Sequence, residues 1–174
     1  MDINRIIQEI IILAPPFLFA LTFHELAHGY VAWRLGDPTA RNAGRLTMNP
    51  LKHLDPLGVL AFIIMKIGWA KPVPVNPVYF RDPRQGMLLV ALAGPGANML
   101  LAVASAILVK LLLMLHPFIP LFVLRPLAQM LAASVWINVL LAVFTLLPIP
   151  PPDGSTLLLG ILPPEMARSY EKLE

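Results

Sequence analysis

The chain has 174 residues, of which 57% are hydrophobic and 13% are charged, and its formal net charge is +3 at pH 7. Soluble domains contain about 25% charged residues, so this composition predicts an integral membrane protein without a sizeable soluble domain. The absence of cysteine excludes disulfides, thiolate metal sites and a cysteine nucleophile. We therefore expect one membrane domain over residues 1–174, surrounded by lipid bilayer. No interleaved aromatic and basic pattern indicates nucleic acid.

The first apolar stretch, from about Ile6 to Trp33, contains the pattern H-E-L-A-H at residues 24–28. The stretch exceeds the roughly 20 residues that a spanning helix needs. Because positions i and i+4 share one helix face, His24 and His28 can hold one Zn²⁺. Glu25 can then act as general base on a water and as proton donor to the leaving amine. The alternative for Glu25 is a buried carboxylate paired with a loop arginine.

The second apolar stretch, Pro56 to Trp69, is too short to cross a bilayer. At 1.5 Å per residue it reaches only about 20 Å, whereas the hydrocarbon core is about 30 Å thick. We interpret it as a re-entrant or interfacial segment.

The regions on either side of this short stretch contain prolines and β-tolerant residues, at 44–48 and at 73–80. This composition predicts short β-strands at the cytoplasmic face. An edge strand over 73–80 could then pair with an unwound substrate as an additional strand.

Basic residues are concentrated between the first and third stretches, where eight of the thirteen lysines and arginines lie from Arg34 to Arg84. Lysine and arginine near the ends of spans accumulate on the cytoplasmic side. If Pro56 to Trp69 does not cross, three spans bring the two histidines and Asp153 to that face. If it did cross, Asp153 would end on the opposite face and could not share their metal.

The third and fourth apolar stretches, Met87 to Leu115 and Leu121 to Leu147, are each long enough to span. The third contains A-G-P-G-A-N at residues 93–98, whose small glycines allow close approach to the first helix. Asn98 at the end of this pattern has two open interpretations. It either hydrogen-bonds a substrate or a zinc-site group, or it joins helices.

Asp153 follows the fourth stretch, between a proline-rich run and Gly154. The prolines end the helix and the glycine permits a tight turn, so the carboxylate can be directed back into the bundle. A catalytic zinc commonly has three protein ligands, and a carboxylate at membrane depth is unfavourable unless it is paired or bound to a cation. We predict Asp153 as the third ligand; the alternative is a cap on the apolar segment 155–162.

These three patterns together resemble the motifs of the site-2 proteases, the intramembrane zinc metalloproteases, over about Leu21 to Ser155. Residues 49–56 and 68–75 resemble the compact bacterial branch, which lacks a PDZ domain. The resemblance implies an all-α membrane fold with a three-helix catalytic core. It also implies one Zn²⁺ per chain held by His24, His28 and Asp153.

The resemblance further implies substrates that are membrane-anchored proteins, cut within or next to their spanning segments. The expected location is the bacterial cytoplasmic membrane, with the active site toward the cytoplasm and an accessory regulator as a further class of partner. Family members often continue with more helices after the aspartate motif, which leaves C-terminal truncation of this chain open.

The chain departs from the family pattern at Thr145, where members usually carry Asn eight residues before the aspartate, and at Ser155, where they carry Gly. A hydrogen bond from that Asn to the oxyanion or substrate would here come from Thr145 or Asn138. His53 is either a hydrogen-bond donor or an extra ligand near the site, or a loop histidine at the interface.

The sequence thus predicts an intramembrane zinc endopeptidase acting in regulated intramembrane proteolysis. The alternative is a catalytically silent homologue that binds membrane clients or metal. A zinc transporter is a third class, but transport needs a continuous polar path and the outer halves of these helices offer almost none.

Overall fold

The structure, a computed structural model, describes residues 3–58, 70–147 and 153–162. The helices that it describes are α1 (Ile3–Arg34), α2 (Thr39–Asn42), α3 (Pro83–Met114), α4 (Leu121–Thr145) and α5 (Asp153–Ile161). Short 3₁₀ turns cover Pro50–Lys52, Pro77–Tyr79 and His116–Phe118.

Three of these helices, α1, α3 and α4, are long and apolar enough to cross a membrane. Large apolar side chains cover their outer surfaces: Leu100 is 72% exposed, Phe122 79% and Trp136 69%. Most of their buried positions are instead small or polar, as at Ala20 and Asn98. This distribution suits helices that are surrounded by lipid and contact one another through small residues. The predicted helical membrane fold is confirmed at this level.

Helix α3 is the central element, because it contacts α1, α4 and α5, and α1 also contacts α4. It begins with Asp82 as N-cap, whose carboxylate accepts hydrogen bonds from the N–H groups of Arg84 and Gln85. Both α1 and α4 run toward the end of the bundle where α3 begins, so that α5 can pack there.

The prediction of short β-strands is wrong for the described residues, which contain only an isolated bridge between Leu54 and Ala70. Residues 44–48 form turns and bends, and residues 77–79 form a 3₁₀ turn. Prolines remove some N–H groups from 73–80. Others are already used, since the N–H of Val73 donates to Glu25 and that of Asn76 donates to Asp37. In this conformation the N–H groups of Val73 and Asn76 are therefore not free to pair with a substrate strand.

The interpretation of Pro56 to Trp69 as re-entrant falls largely on residues 59–69, which lie outside the described residues. The two ends of this stretch are nevertheless adjacent. Leu54 pairs with Ala70 in the isolated bridge, and the N–H of Lys71 donates to the carbonyl oxygen of His53 at 2.9 Å. Its entry and exit are thus at the same end of the bundle.

A buried carboxylate, Asp37, fixes the connection that follows α1. Gly36 makes the preceding turn with a φ of +107°, which costs glycine little. One carboxylate oxygen of Asp37 accepts from the N–H and hydroxyl of Thr39, and the other accepts from the N–H of Asn76 at 2.7 Å. Burial by itself raises the pKa of Asp37, but these hydrogen bonds outweigh it and the pKa lies below its ordinary value.

Replacement of this carboxylate should destabilise the loop against α1. We expect Asp37→Asn to lower the free energy of unfolding by about 1–2 kcal/mol at neutral pH, since charged hydrogen bonds are lost. Because the folded pKa is below the unfolded one, the stabilisation is complete above about pH 4 and disappears as pH falls through the folded pKa. Thermal unfolding in detergent at pH 7 and pH 3 measures both effects.

The matched control is Asp82→Asn, because asparagine is as good an N-cap as aspartate. It should unfold like the parent protein. An Asp37→Asn variant with parent stability at pH 7 would contradict this account of the loop.

Candidate metal centre

Three potential ligands from α1 and α5 converge at the end of the bundle. Nε2 of His24 lies 3.1 Å from one oxygen of Asp153, and Nε2 of His28 lies 3.1 Å from the other. The two Nε2 atoms are 3.0 Å apart. Their ligand atoms all lie within 4.8 Å of one another. The structure therefore brings together the three residues that the sequence predicts as ligands, and their role as ligands stays a prediction.

The group fits a zinc ion in both spacing and chemistry. Nitrogen and oxygen ligands about 2.0–2.2 Å from zinc at tetrahedral angles are roughly 3.3–3.5 Å apart, so separations of 3.0–3.1 Å need only small shifts. Nδ1 of His24 faces the side-chain oxygen of Asn98 at 2.5 Å, and Nδ1 of His28 faces the carbonyl oxygen of Val90 at 2.7 Å. With Nδ1–H donating to these acceptors, each Nε2 directs its lone pair at the centre.

Two lone pairs and a carboxylate directed at one point need positive charge between them. Protons on the Nε2 atoms would supply it by making the imidazoles cationic, and a divalent cation supplies it in their place. Burial by itself raises the pKa of Asp153, but hydrogen bonding and charge interactions with His24 and His28 outweigh it and lower the pKa to about 2. The carboxylate is therefore ionised at neutral pH and available to a cation.

Helix α5 is held in place at both ends, which positions Asp153 at its first residue. A Cβ at Gly154 would lie 2.0 Å from the carbonyl oxygen of Leu147, so only glycine permits this contact. At the other end, the guanidinium of Arg84 donates to the carbonyl oxygens of Gly160, at 2.9 Å, and Leu162. A cation at a helix C-terminus is favourable because the last carbonyls have no helical partner.

Gly94 on α3 leaves the space in which the two imidazoles lie. A Cβ there would be 2.4 Å from Nε2 of His28 and 2.5 Å from Nε2 of His24. By contrast, a Cβ at Gly96 would meet nothing within 4 Å. Of the two glycines expected to allow close helix approach, Gly94 is thus the one that the histidines require.

Glu25 contacts the loop that follows the short apolar stretch. One oxygen of its carboxylate accepts from the N–H of Val73 at 3.1 Å, which fixes the orientation of the group. Among the described residues Glu25 makes no salt bridge with an arginine, so the alternative based on such a pair has no support in this part of the chain.

The other predicted site residues differ in their hydrogen-bond partners. Asn98 contacts His24 and also donates to Ala20 and Asn138 on the neighbouring helices, so it contacts a predicted ligand and joins helices as well. The hydroxyl of Thr145 donates to the carbonyl of Leu141 within α4 at 2.8 Å. His53 is fully buried and donates from Nε2 to the carbonyl of Thr47 at 2.9 Å, which supports a role in the loop.

Sequence reasoning missed three contacts, those made by the carbonyl of Val90, the N–H of Val73 and the side chain of Arg84. The first two are backbone groups, which every residue carries, so no residue type indicates them. Arg84 has the same sequence signature as any basic residue beside a span. Only the position of α5 in the fold shows its contact.

Comparison with curated proteins identifies related sequences. A Bacillus subtilis protein named "Putative zinc metalloprotease YwhC" is 41% identical over 168 residues, which cover 90% of this chain and 72% of that protein. The chain belongs to the site-2 protease family of zinc metalloproteases. A Mycobacterium tuberculosis protein named "Putative zinc metalloprotease Rip2" is 31% identical over 163 residues, which cover 88% of this chain and 58% of that protein.

A Mycolicibacterium smegmatis protein with the same Rip2 name is 38% identical over 92 residues, which cover 50% of this chain and 35% of that protein. No family model matches the chain, and no solved structure matches it significantly. The names of these related proteins refer to zinc and to proteolysis.

The space at Gly94 gives a sharp test of the metal centre. We expect Gly94→Ala to lower zinc affinity at least 10-fold, because its methyl group would displace both imidazoles. Gly96→Ala is the control, since the same change two residues away meets no atom. Competition with a chromophoric chelator measures both affinities. Equal affinities would show that the metal is not held beside Gly94.

Proposed function

We propose that this protein is an intramembrane zinc endopeptidase that hydrolyses peptide bonds within or next to the transmembrane segments of membrane-anchored proteins, as in regulated intramembrane proteolysis. The observation that carries the proposal is that two members of the ligand group, His24 and His28, lie inside a helix long and apolar enough to span a membrane. At 1.5 Å per residue, His28 is about 9 Å from the end of α1 at Arg34, and His24 is about 31 Å from its start at Ile3.

The ligand set assigned to the zinc is His24, His28 and Asp153, with one ion per chain. Zinc bound there would lower the pKa of a water to about 7 and polarise the peptide carbonyl. The side-chain oxygen of Asn98 contacts Nδ1 of His24, and the carbonyl oxygen of Val90 contacts Nδ1 of His28. Both Nε2 atoms would therefore remain directed at the metal. Small errors in this geometry are costly for catalysis, because reacting groups must be aligned closely.

Glu25 is the group assigned to proton transfer. Its carboxylate takes a proton from the attacking water and then gives it to the leaving amine nitrogen. The hydrogen bond from the N–H of Val73 holds one carboxylate oxygen, so the orientation of the base depends on the loop that contains residues 70–76. A substrate helix has its own peptide groups hydrogen-bonded, so it must unwind locally before it reaches this carboxylate.

The proposed location is the bacterial cytoplasmic membrane with the active site toward the cytoplasm. The support is the charge at the end of the bundle that holds the metal group, where Arg34, Lys71 and Arg84 lie. Basic residues near span ends favour that side. Membrane-anchored proteins are accordingly the proposed substrates, and an accessory regulator is a further proposed partner.

One observation favours the silent homologue as a second candidate. Thr145 stands where the site-2 protease pattern that the sequence resembles has Asn, and its only hydroxyl proton is donated to the carbonyl of Leu141 in its own helix. If an oxyanion depends on that position, turnover would be slow or absent while zinc binding persists.

The two candidates are separated by Glu25→Gln in zinc-loaded proteoliposomes. The reporter is a single-span protein with a Gly-Pro pair in the cytoplasmic third of its helix, where unwinding is easier. We expect Glu25→Gln to keep its zinc and to lower kcat about 100-fold or more. Glu9→Gln on the same helix is the control, because Glu9 is exposed and its ion-pair partner among the described residues is Arg5.

Cleavage products identified by mass spectrometry give the rates. Equal turnover by the parent protein and Glu25→Gln would remove Glu25 as the base. Zinc binding without cleavage of this reporter by either protein would favour the silent homologue.

A further inference from the structure

A chain of buried polar side chains leads from the metal centre into the middle of the membrane-spanning helices. Its members are Asn98 and Ser105 on α3 and Ser134 and Asn138 on α4, and none is more than 8% exposed. Polar groups in apolar surroundings are unfavourable unless each finds a partner. The hydrogen bonds within the chain therefore provide the partners of these buried groups.

The hydrogen bonds connect His24 to α4 in two steps. Nδ1 of His24 contacts Oδ1 of Asn98. Nδ2 of Asn98 donates to Oδ1 of Asn138 at 2.7 Å and to the carbonyl of Ala20 at 3.3 Å. Nδ2 of Asn138 donates to the carbonyl of Ser134 at 2.8 Å and to its hydroxyl at 3.2 Å.

Backbone carbonyls set the direction of this chain. A carbonyl oxygen only accepts, whereas a side-chain amide donates at its nitrogen and accepts at its oxygen. The carbonyl of Ser134 therefore requires the nitrogen of Asn138, which turns the oxygen of Asn138 toward Asn98. That oxygen in turn requires the nitrogen of Asn98, so the oxygen of Asn98 faces His24.

The direction of the chain determines which nitrogen of His24 carries the proton. Because the oxygen of Asn98 can only accept, His24 donates from Nδ1, and its neutral form leaves Nε2 unprotonated toward the metal. If the amide of Asn98 were reversed, its nitrogen would donate to Nδ1. The proton of neutral His24 would then lie on Nε2, where it excludes a metal.

We propose that Asn138, whose hydrogen bonds go to Asn98 and Ser134, is a positioning residue that selects the metal-binding tautomer of His24 through Asn98. Without Asn138, only the 3.3 Å hydrogen bond to Ala20 holds the orientation of the Asn98 amide. His28 does not depend on this chain, because its Nδ1 faces the backbone carbonyl of Val90, which cannot reverse. The inference rests on the zinc site of the proposed function, not on peptide hydrolysis.

The test compares Asn138→Leu with Ser105→Ala. Ser105 belongs to the same buried chain, but it lies outside the part from the carbonyl of Ser134 to Asn98 that sets the direction of the two amides. We expect Asn138→Leu to weaken zinc binding about 10-fold, as is typical for groups that orient a metal-binding histidine. Ser105→Ala should stay within 2-fold of the parent, and so should Ser134→Ala, which keeps its backbone carbonyl. Competition with a chromophoric chelator supplies the affinities.

A second measurement reports the tautomer itself. In the zinc-free protein labelled with ¹⁵N-histidine, at an alkaline pH that keeps the imidazoles neutral, NMR should show His24 protonated at Nδ1 in the parent and a mixture of tautomers in Asn138→Leu, while His28 is unchanged. In Asn138→Ser, whose short side chain cannot reach both neighbours, the tautomer population of His24 should shift in the same direction. This variant replaces Asn138→Leu in the test if Asn138→Leu does not fold.

An unchanged His24 tautomer in the Asn138 variants would overturn the proposal. So would a loss of zinc affinity as large in Ser105→Ala as in Asn138→Leu, because packing alone would then explain it. Neither readout needs turnover, so an inactive parent protein would count against the proposed function and leave this inference standing.

Discussion

The structure depends on one electrostatic constraint, the convergence of two imidazole nitrogens and a carboxylate at a buried point in an apolar bundle. Acceptor atoms at 3.0–3.1 Å need positive charge between them, either from protons on the imidazoles or from a divalent cation. The predicted ligands His24 and Asp153 are 129 residues apart in sequence. Helix α5 must therefore be held against the end of the bundle. Gly154 and Arg84 do this at the two ends of that helix.

The two histidines are held by groups of different rigidity. His28 faces a backbone carbonyl of α3, which moves only with the helix. His24 faces the amide of Asn98, whose direction depends on α4. The candidate metal centre therefore involves all three of the long helices α1, α3 and α4, although its predicted ligands come from α1 and α5. The carboxylate of Glu25 is held instead by the loop, through a hydrogen bond from the N–H of Val73. The proposed base and the proposed ligands therefore have separate supports.

The spans, the shared face of His24 and His28, and the approach of Asp153 could all be predicted from sequence. The helical repeat, the length of the apolar stretches and the positions of the prolines are local properties of the sequence, and they determine these features. The strands over 73–80 were predicted wrongly, because β-tolerant composition does not reveal that the N–H groups are used by Glu25 and Asp37. The contact of Val90 could not be predicted, since a carbonyl oxygen has no residue-specific signature.

The central claim is that His24, His28 and Asp153 bind one metal ion together. Zinc K-edge X-ray absorption on the purified protein and on Asp153→Ala tests it most directly. We expect about one zinc per parent chain, with nitrogen and oxygen ligands at about 2.0–2.1 Å and scattering from two imidazoles, and a loss of most zinc from Asp153→Ala. Full zinc occupancy with an unchanged ligand shell in Asp153→Ala would contradict the account.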